Sequence, residues 1–151
     1  MSSGKHMVRI PPDGAGEGWT GPVMVRGWLR VREPWAHPLA VLTLMRKWMR
    51  LKRDVNRSEG FLSFEYWQRL ESLLFGMHVG WSNREQLDRF YEYESHRDIA
   101  RWATASPLIR AMKLETMASI GNGRIAHLGG FYICNDESDL RSDSLFPVTG
   151  V

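Results

Sequence analysis

The chain has 151 residues, 43% of them hydrophobic and 25% charged, with a formal net charge of +3 and an isoelectric point near 9.3. That length fits one domain, and the mildly basic balance permits nucleic acid without indicating it. A single cysteine, Cys134, excludes an internal disulfide, no Cys/His spacing suggests a metal site, and no apolar run nears the ~20 residues that span a bilayer. No nucleic-acid or membrane partner is expected, and a reducing cytoplasm is the simplest setting. Seven Trp and eight Met stand out; so many large apolar side chains suit a core or a wide apolar cavity.

Residues 1–7, MSSGKHM, read as an expression scar, and Val8 to Gly21, rich in Gly and Pro, as an irregular arm. Pro22 to Arg32 predicts a strand. Val23, Val25, Gly27, Leu29 and Val31 take one face, and Met24, Arg26, Trp28 and Arg30 the other. After two prolines, Leu39 to Arg57 predicts a helix. Val41, Leu44, Met45, Trp48, Leu51, Lys52 and Val55 form its buried stripe; Arg46, Lys47, Arg50, Arg53 and Arg57 form a basic outer face. Gly60 suits a left-handed helix end.

Phe61 to Leu70 and Leu73 to Trp81 are two strands joined closely enough to require an antiparallel hairpin. On the second, Phe75, Met77 and Trp81 share a face, and Gly76, His78 and Gly80 share the other, where the glycines leave room beside His78. Ser82-Asn83 caps a helix from Arg84 with a buried stripe at Leu87, Phe90 and Tyr91. A second segment starts at Ser95, and Ser106-Pro107 predicts a third helix running to Ser119. Arg124 to Cys134 is the last strand. Residues 135–151 are polar and acidic and read as a mobile tail or an arm laid on a neighbour.

Strand, helix, strand, strand, helix, strand is the order of a ferredoxin-like βαββαβ plait, an α+β fold with a four-stranded antiparallel sheet spanning residues 22–134. Large hydrophobes on both sheet faces call for a second cover, so a homodimer packed sheet to sheet is expected. His78, His96 and His127 are the candidate proton-transfer groups of the body. Arg26 is the candidate to bind a substrate carboxylate or enolate oxygen, or alternatively to pair with Glu65. Trp28, Trp67, Phe75, Met77, Trp81 and Tyr91 are the candidate substrate contacts. Gly121-Asn122-Gly123 is a turn and not a nucleotide fingerprint, and Cys134 has no nucleophile context.

The plait, the run Val79-Gly80-Trp81-Ser82-Asn83-Arg84-Glu85 and the step Ser95-His96-Arg97 resemble the dimeric α+β barrel superfamily, which includes the antibiotic-biosynthesis monooxygenases. The layout is most similar to a monooxygenase-like family of unsettled function. His127 is placed like that family's last-strand histidine, though Leu128-Gly129-Gly130 stand where it carries Glu-Thr-Tyr. The resemblance implies a homodimeric enzyme of secondary metabolism acting on an apolar aromatic or polyketide-like substrate. Its activity would be that of a cofactor-independent monooxygenase or a related cyclase or isomerase. Alternatively it implies a haem protein with a histidine axial ligand. A non-catalytic module, its basic helix face meeting an acidic partner, is the third reading.

Overall fold

In the computed structural model, which describes residues 5–69 and 73–134 (for His37, the backbone alone), helices cover one face of a single antiparallel sheet. The elements are β1 (His6–Ile10), β2 (Val23–Val31), a 3-10 turn (Pro34–Ala36), α1 (His37–Arg57), β3 (Phe61–Arg69), β4 (Leu74–Trp81), α2 (Arg84–Tyr91), α3 (Glu94–Ala105), β5 (Ile109–Gly121) and β6 (Arg124–Cys134). The described strands pair in the order β1-β6-β5-β2-β4-β3.

The α+β class and the antiparallel sheet stand, but the described sheet has six strands where four are expected. β1 arises from the stretch expected to lie outside the domain; it pairs along the free edge of β6, with Ile10 opposite Gly130. β5 replaces the helix expected from Pro107 to Ser119. Met, Glu, Leu and Ala there favour a helix by propensity, yet Leu114, Thr116 and Ala118 alternate with Lys113, Glu115 and Met117, and the former are buried. The strand wins because its alternating face packs on the core while both edges are paired, to β2 and β6. Ser106, expected as a helix start, instead caps the end of α3, and its hydroxyl accepts the Leu108 N–H at 3.2 Å.

Local signals explain the helix boundaries. Proline lies in the first turn of α1, and Gly60 beyond its end has φ +85°, a conformation that costs other residues a Cβ clash. A Cβ there would also lie 2.6 Å from Ser82 Oγ. Asn83 caps α2, its side-chain oxygen accepting the Gln86 N–H at 2.9 Å. The expected cap at Ser95 is two residues late: Tyr93 precedes α3, and the Ser95 hydroxyl donates to Asp54.

Beneath the helices, Val23, Val25, Val79 and Trp81 of the sheet pack with Leu51 and Val55 of α1 and Leu87 and Phe90 of α2. Each such fully buried side chain stabilises by about 1.5–3 kcal/mol. Met45 and Lys52, expected in the buried stripe, are exposed, Met45 to 56%, because Ala40, Leu51 and Val55 turn the helix so that they face outward. A second cluster joins Leu29, Val31, Phe75 and Ile109 to Ala36, Ala40 and Ala103.

The opposite sheet face has its own apolar group. Trp28 is buried with Leu74, Ala111 and Cys134, and Trp67 and Tyr132 pack against them. The room expected beside His78 is filled: a Cβ on Gly76 would lie 1.9 Å from the Trp67 indole, and one on Gly80 would lie 2.6 Å from Ser63 Oγ. None of the described helices is long and apolar enough to cross a membrane. Residues 135–151, expected as a tail, and the expected hairpin link at 70–72 lie outside the described residues.

Candidate functional site

The sheet's strand order places a cavity of about 500 Å³ between β1, α2 and the β5–β6 pair, on the helix-covered side. Leu114, Thr116 and Phe131 supply its sheet wall, Arg84 and Tyr91 of α2 a second wall, and Met7, Ile10, Pro11 and Pro12 a third. Arg9 is the only other charged lining residue, so the walls are apolar with two guanidinium groups and no carboxylate. Such a lining fits an apolar ligand with electron-rich oxygens.

Two backbone devices shape this cavity. The β5–β6 register shifts between the pairs Thr116–Gly129 and Met117–His127, leaving Leu128 as the extra residue of a bulge. Gly129 sits there at φ +111°, and a Cβ on Gly130 would lie 2.2 Å from the Leu114 carbonyl oxygen. Only glycine lets the strands approach so closely. The arm is then buckled to β6 by Asp13. Its N–H donates to the His127 carbonyl at 3.1 Å, and its carboxylate accepts the His127 N–H at 3.0 Å and the Ala15 N–H at 2.9 Å. Those backbone donors hold the Asp13 carboxyl below its usual range.

Tyr91 is the reactive-looking wall. Its hydroxyl oxygen is buried and makes no hydrogen bond within the described residues. Burial pushes its pKa up to about 12; the Thr116 hydroxyl and the Arg84 charge offset only part of this. At neutral pH it is therefore a protonated phenol, with the Thr116 hydroxyl beside it but no described acceptor in hydrogen-bond geometry. Arg84 stands one side chain away, bonded to Asp88 at 3.4 Å and to the Leu128 carbonyl at 3.3 Å.

His96 supports Tyr91 from behind. Its ring lies 4.8 Å from Phe90 and 5.0 Å from Tyr91, centroid to centroid. Burial lowers its pKa to about 4, so it is neutral at pH 7 and a weak base. Phe90 continues the array to Trp81, 4.9 Å away.

The other expected residues lie elsewhere. Arg26, His78 and Glu65 form a row across β2, β4 and β3 on the uncovered face, with Glu115 beyond Arg26. Glu65 stands next to His78 in this row, with His78 Nδ1 3.7 Å from Glu65 Oε2. Burial and the Arg26 charge lower the His78 pKa, and Glu65 opposes them in part. Trp28 and Trp67 form the adjacent row on that face. Phe75 and Trp81 are core residues, and Met77 packs against the core beside them. The His127 side chain is exposed on β6. Of the ten expected site residues, Tyr91 alone lines the cavity.

None of these histidines lines the cavity, so its residues do not fit a histidine-ligated haem. Among the described residues, no group of three or more His, Cys, Asp or Glu could hold a metal ion. A smaller cavity, about 300 Å³, lies between α1 and α3. Its walls are Arg50, Arg53 and Arg57 against Asp54 and Glu94, and those carboxylates already bond Ser95 and Arg101. It offers a ligand little apolar surface.

No family model and no curated protein matches the sequence. Solved structures do match. Rv0793 from Mycobacterium tuberculosis is 16% identical over 68% of this chain and 99% of its own, with a TM-score of 0.54. PA3566 from Pseudomonas aeruginosa is 19% identical over 68% and 97%, with a TM-score of 0.53. A candidate antibiotic biosynthesis monooxygenase from Caulobacter crescentus is 15% identical over 68% and 93%, also with a TM-score of 0.53. The chain thus has the α+β fold of the antibiotic-biosynthesis-monooxygenase type. At these identities the likeness is one of fold.

Proposed function

We propose that this chain is a small cofactor-independent oxygenase acting on an apolar aromatic or polyketide-like substrate in the cavity under Tyr91. The observation that carries the reading is the buried, unpartnered Tyr91 hydroxyl in an apolar wall, with Arg84 beside it and no carboxylate in the lining. The fold shared with a candidate monooxygenase supports it.

The reaction asks little of the protein beyond a dry cavity and stabilisation of a substrate oxyanion. A methylene flanked by aromatic rings and conjugated to a carbonyl loses a proton to solvent at the mouth. Tyr91 donates to the resulting enolate oxygen, and the Arg84 charge lowers its energy. The carbanion carbon gives its electron pair to O₂, a C–O bond forms, and the peroxide takes up one proton. Loss of the second C–H proton breaks the O–O bond and releases water. The methylene becomes a carbonyl, one oxygen atom enters it and the other leaves in water. His96, neutral and packed behind the phenol, positions Tyr91. Arg26, His78 and Glu65, with the Trp28–Trp67 group, form a face for a second copy of the chain, completing a homodimer.

The test is oxygen uptake with anthrone, an aromatic methylene ketone. The full chain should consume one O₂ per anthrone, and Tyr91→Phe should slow turnover roughly 10- to 1000-fold. No uptake above the spontaneous rate, or equal rates for both proteins, overturns the reading. Sedimentation should give a dimer that Trp67→Glu converts to a monomer; a wild-type monomer contradicts the role given to the open face.

A further inference from the structure

We infer that the outer side of α1 is a docking face for an anionic lipid bilayer. Among the described residues, ten large hydrophobic side chains are exposed, and five of them follow one another here: Trp35, Leu39, Leu42, Met45 and Met49, each 55–73% exposed. Spacings of three and four residues place Leu39, Leu42, Met45 and Met49 on the side of the helix opposite Ala40, Leu51 and Val55, which pack inward, and Trp35 stands in the 3-10 turn just ahead of them. A run of exposed apolar groups this long along one helix and the turn that leads into it marks an interaction surface.

The charges say of what kind. From Trp35 to Arg53 there is no acidic residue, while Arg46, Arg50, Lys52 and Arg53 are exposed. Arg57 extends the basic flank, so the mixed face runs about 27 Å from Leu39. Aromatic and aliphatic side chains interleaved with Arg and Lys along a helix are the composition that settles at a membrane interface, apolar groups among the acyl chains and cations among the phosphates.

Shape and charge disfavour the other occupants. The face is the convex outer side of a single helix, whereas an acidic peptide would need a groove to gain affinity. A second copy docked on the same face about a two-fold axis would bring Arg46, Arg50 and Arg53 against their own counterparts, with no carboxylate supplied by the Trp35–Arg53 stretch itself. A lipid surface is planar, deformable and negatively charged, and meets both conditions. The face lies along the surface, a mode unrelated to the length of a spanning helix.

Vesicle sedimentation of the full chain tests this. Phosphatidylcholine vesicles containing phosphatidylglycerol should bind at least about tenfold more tightly than phosphatidylcholine alone, and added salt should erase the difference. Leu42→Ser with Met49→Ser should weaken binding at least tenfold. Arg46→Gln with Arg50→Gln and Arg53→Gln should remove the preference for anionic lipid. All five positions are exposed, and an unchanged thermal midpoint confirms the fold of each variant. No binding to anionic vesicles at low salt overturns the inference, as does binding that neither variant alters. So does an Leu42→Ser/Met49→Ser chain that loses oligomeric mass while the wild type ignores vesicles, which would assign the face to a second copy.

Discussion

Replacing Tyr91 by Phe separates the two consequences of an unpartnered buried hydroxyl. In the free protein, Tyr91 Oη has left water and gained no hydrogen bond of ordinary geometry among the described residues. An unsatisfied buried group of this kind costs about 1–3 kcal/mol. Phe keeps the ring contacts with Phe90 and His96, at 5.8 and 5.0 Å between centroids, and removes the penalty. Some of the gain is returned through the small space left behind. We expect a net stabilisation of about 1 kcal/mol, which raises Tm by roughly 2–4 °C in a domain of this size. The same change should weaken binding of an oxyanion-bearing aromatic ligand by about 1.5–3 kcal/mol, roughly ten- to a hundredfold. Calorimetric unfolding and ligand titration of the two proteins measure both terms. A variant that melts several degrees lower would show that the hydroxyl is satisfied inside the folded chain, and the reasoning would fail there.

His96 gives a pH prediction. Its folded pKa is about 4 against an ordinary 6.5, so the fold favours the neutral ring. The stability tied to it is complete above about pH 6.5 and is lost as pH falls towards 4. From pH 7 to pH 5 the loss is about 2 kcal/mol; denaturant midpoints of the wild type should fall accordingly, and those of His96→Phe should fall less. Parallel curves for the two proteins would remove this assignment. Gly130→Ala sets a Cβ against the Leu114 backbone and should cost about 3 kcal/mol or more, whereas Gly76→Ala meets an indole that can swing aside and should cost about 1–3 kcal/mol. Urea unfolding ranks the pair, and a costlier Gly76→Ala contradicts the packing described.

Much of the fold could be read because pattern and propensity agreed. The valines alternating along β2, the stripe of Leu51 and Val55, the Gly60 stop and the paired runs of β3 and β4 each say one thing at two levels. β5 could not be read so easily: its Met, Glu and Ala favour a helix, and the competing alternation of Leu114, Thr116 and Ala118 is weakened by small residues. β1 has too few residues to show a period, and its strand state comes from the edge offered by β6, a partner more than a hundred positions away.

The site divided the same way. Tyr91 was legible because it belongs to the buried stripe of α2. The helix-favouring composition of β5 hides Thr116, Met7 falls in the stretch that reads as an expression scar, and Ile10 and Pro12 fall in the irregular arm. Arg84 reads in the sequence as part of a helix start, although a cation in the first turn of α2, against the dipole's preference, signals that it serves something outside the helix. Histidine titrates near neutrality and so draws the chemistry in a sequence, but burial keeps His96 neutral, His78 lies beside Glu65 on the uncovered face, and the exposed His127 does not line the cavity.

The most direct test is a crystal structure of the full chain with a bound aromatic methylene ketone. The ligand should lie between the arm, α2 and the β5–β6 pair, its oxygen within hydrogen-bond distance of Tyr91 Oη. Density instead on the open sheet face, against Trp28, Trp67 and His78 with the cavity empty, would contradict the assignment of the site.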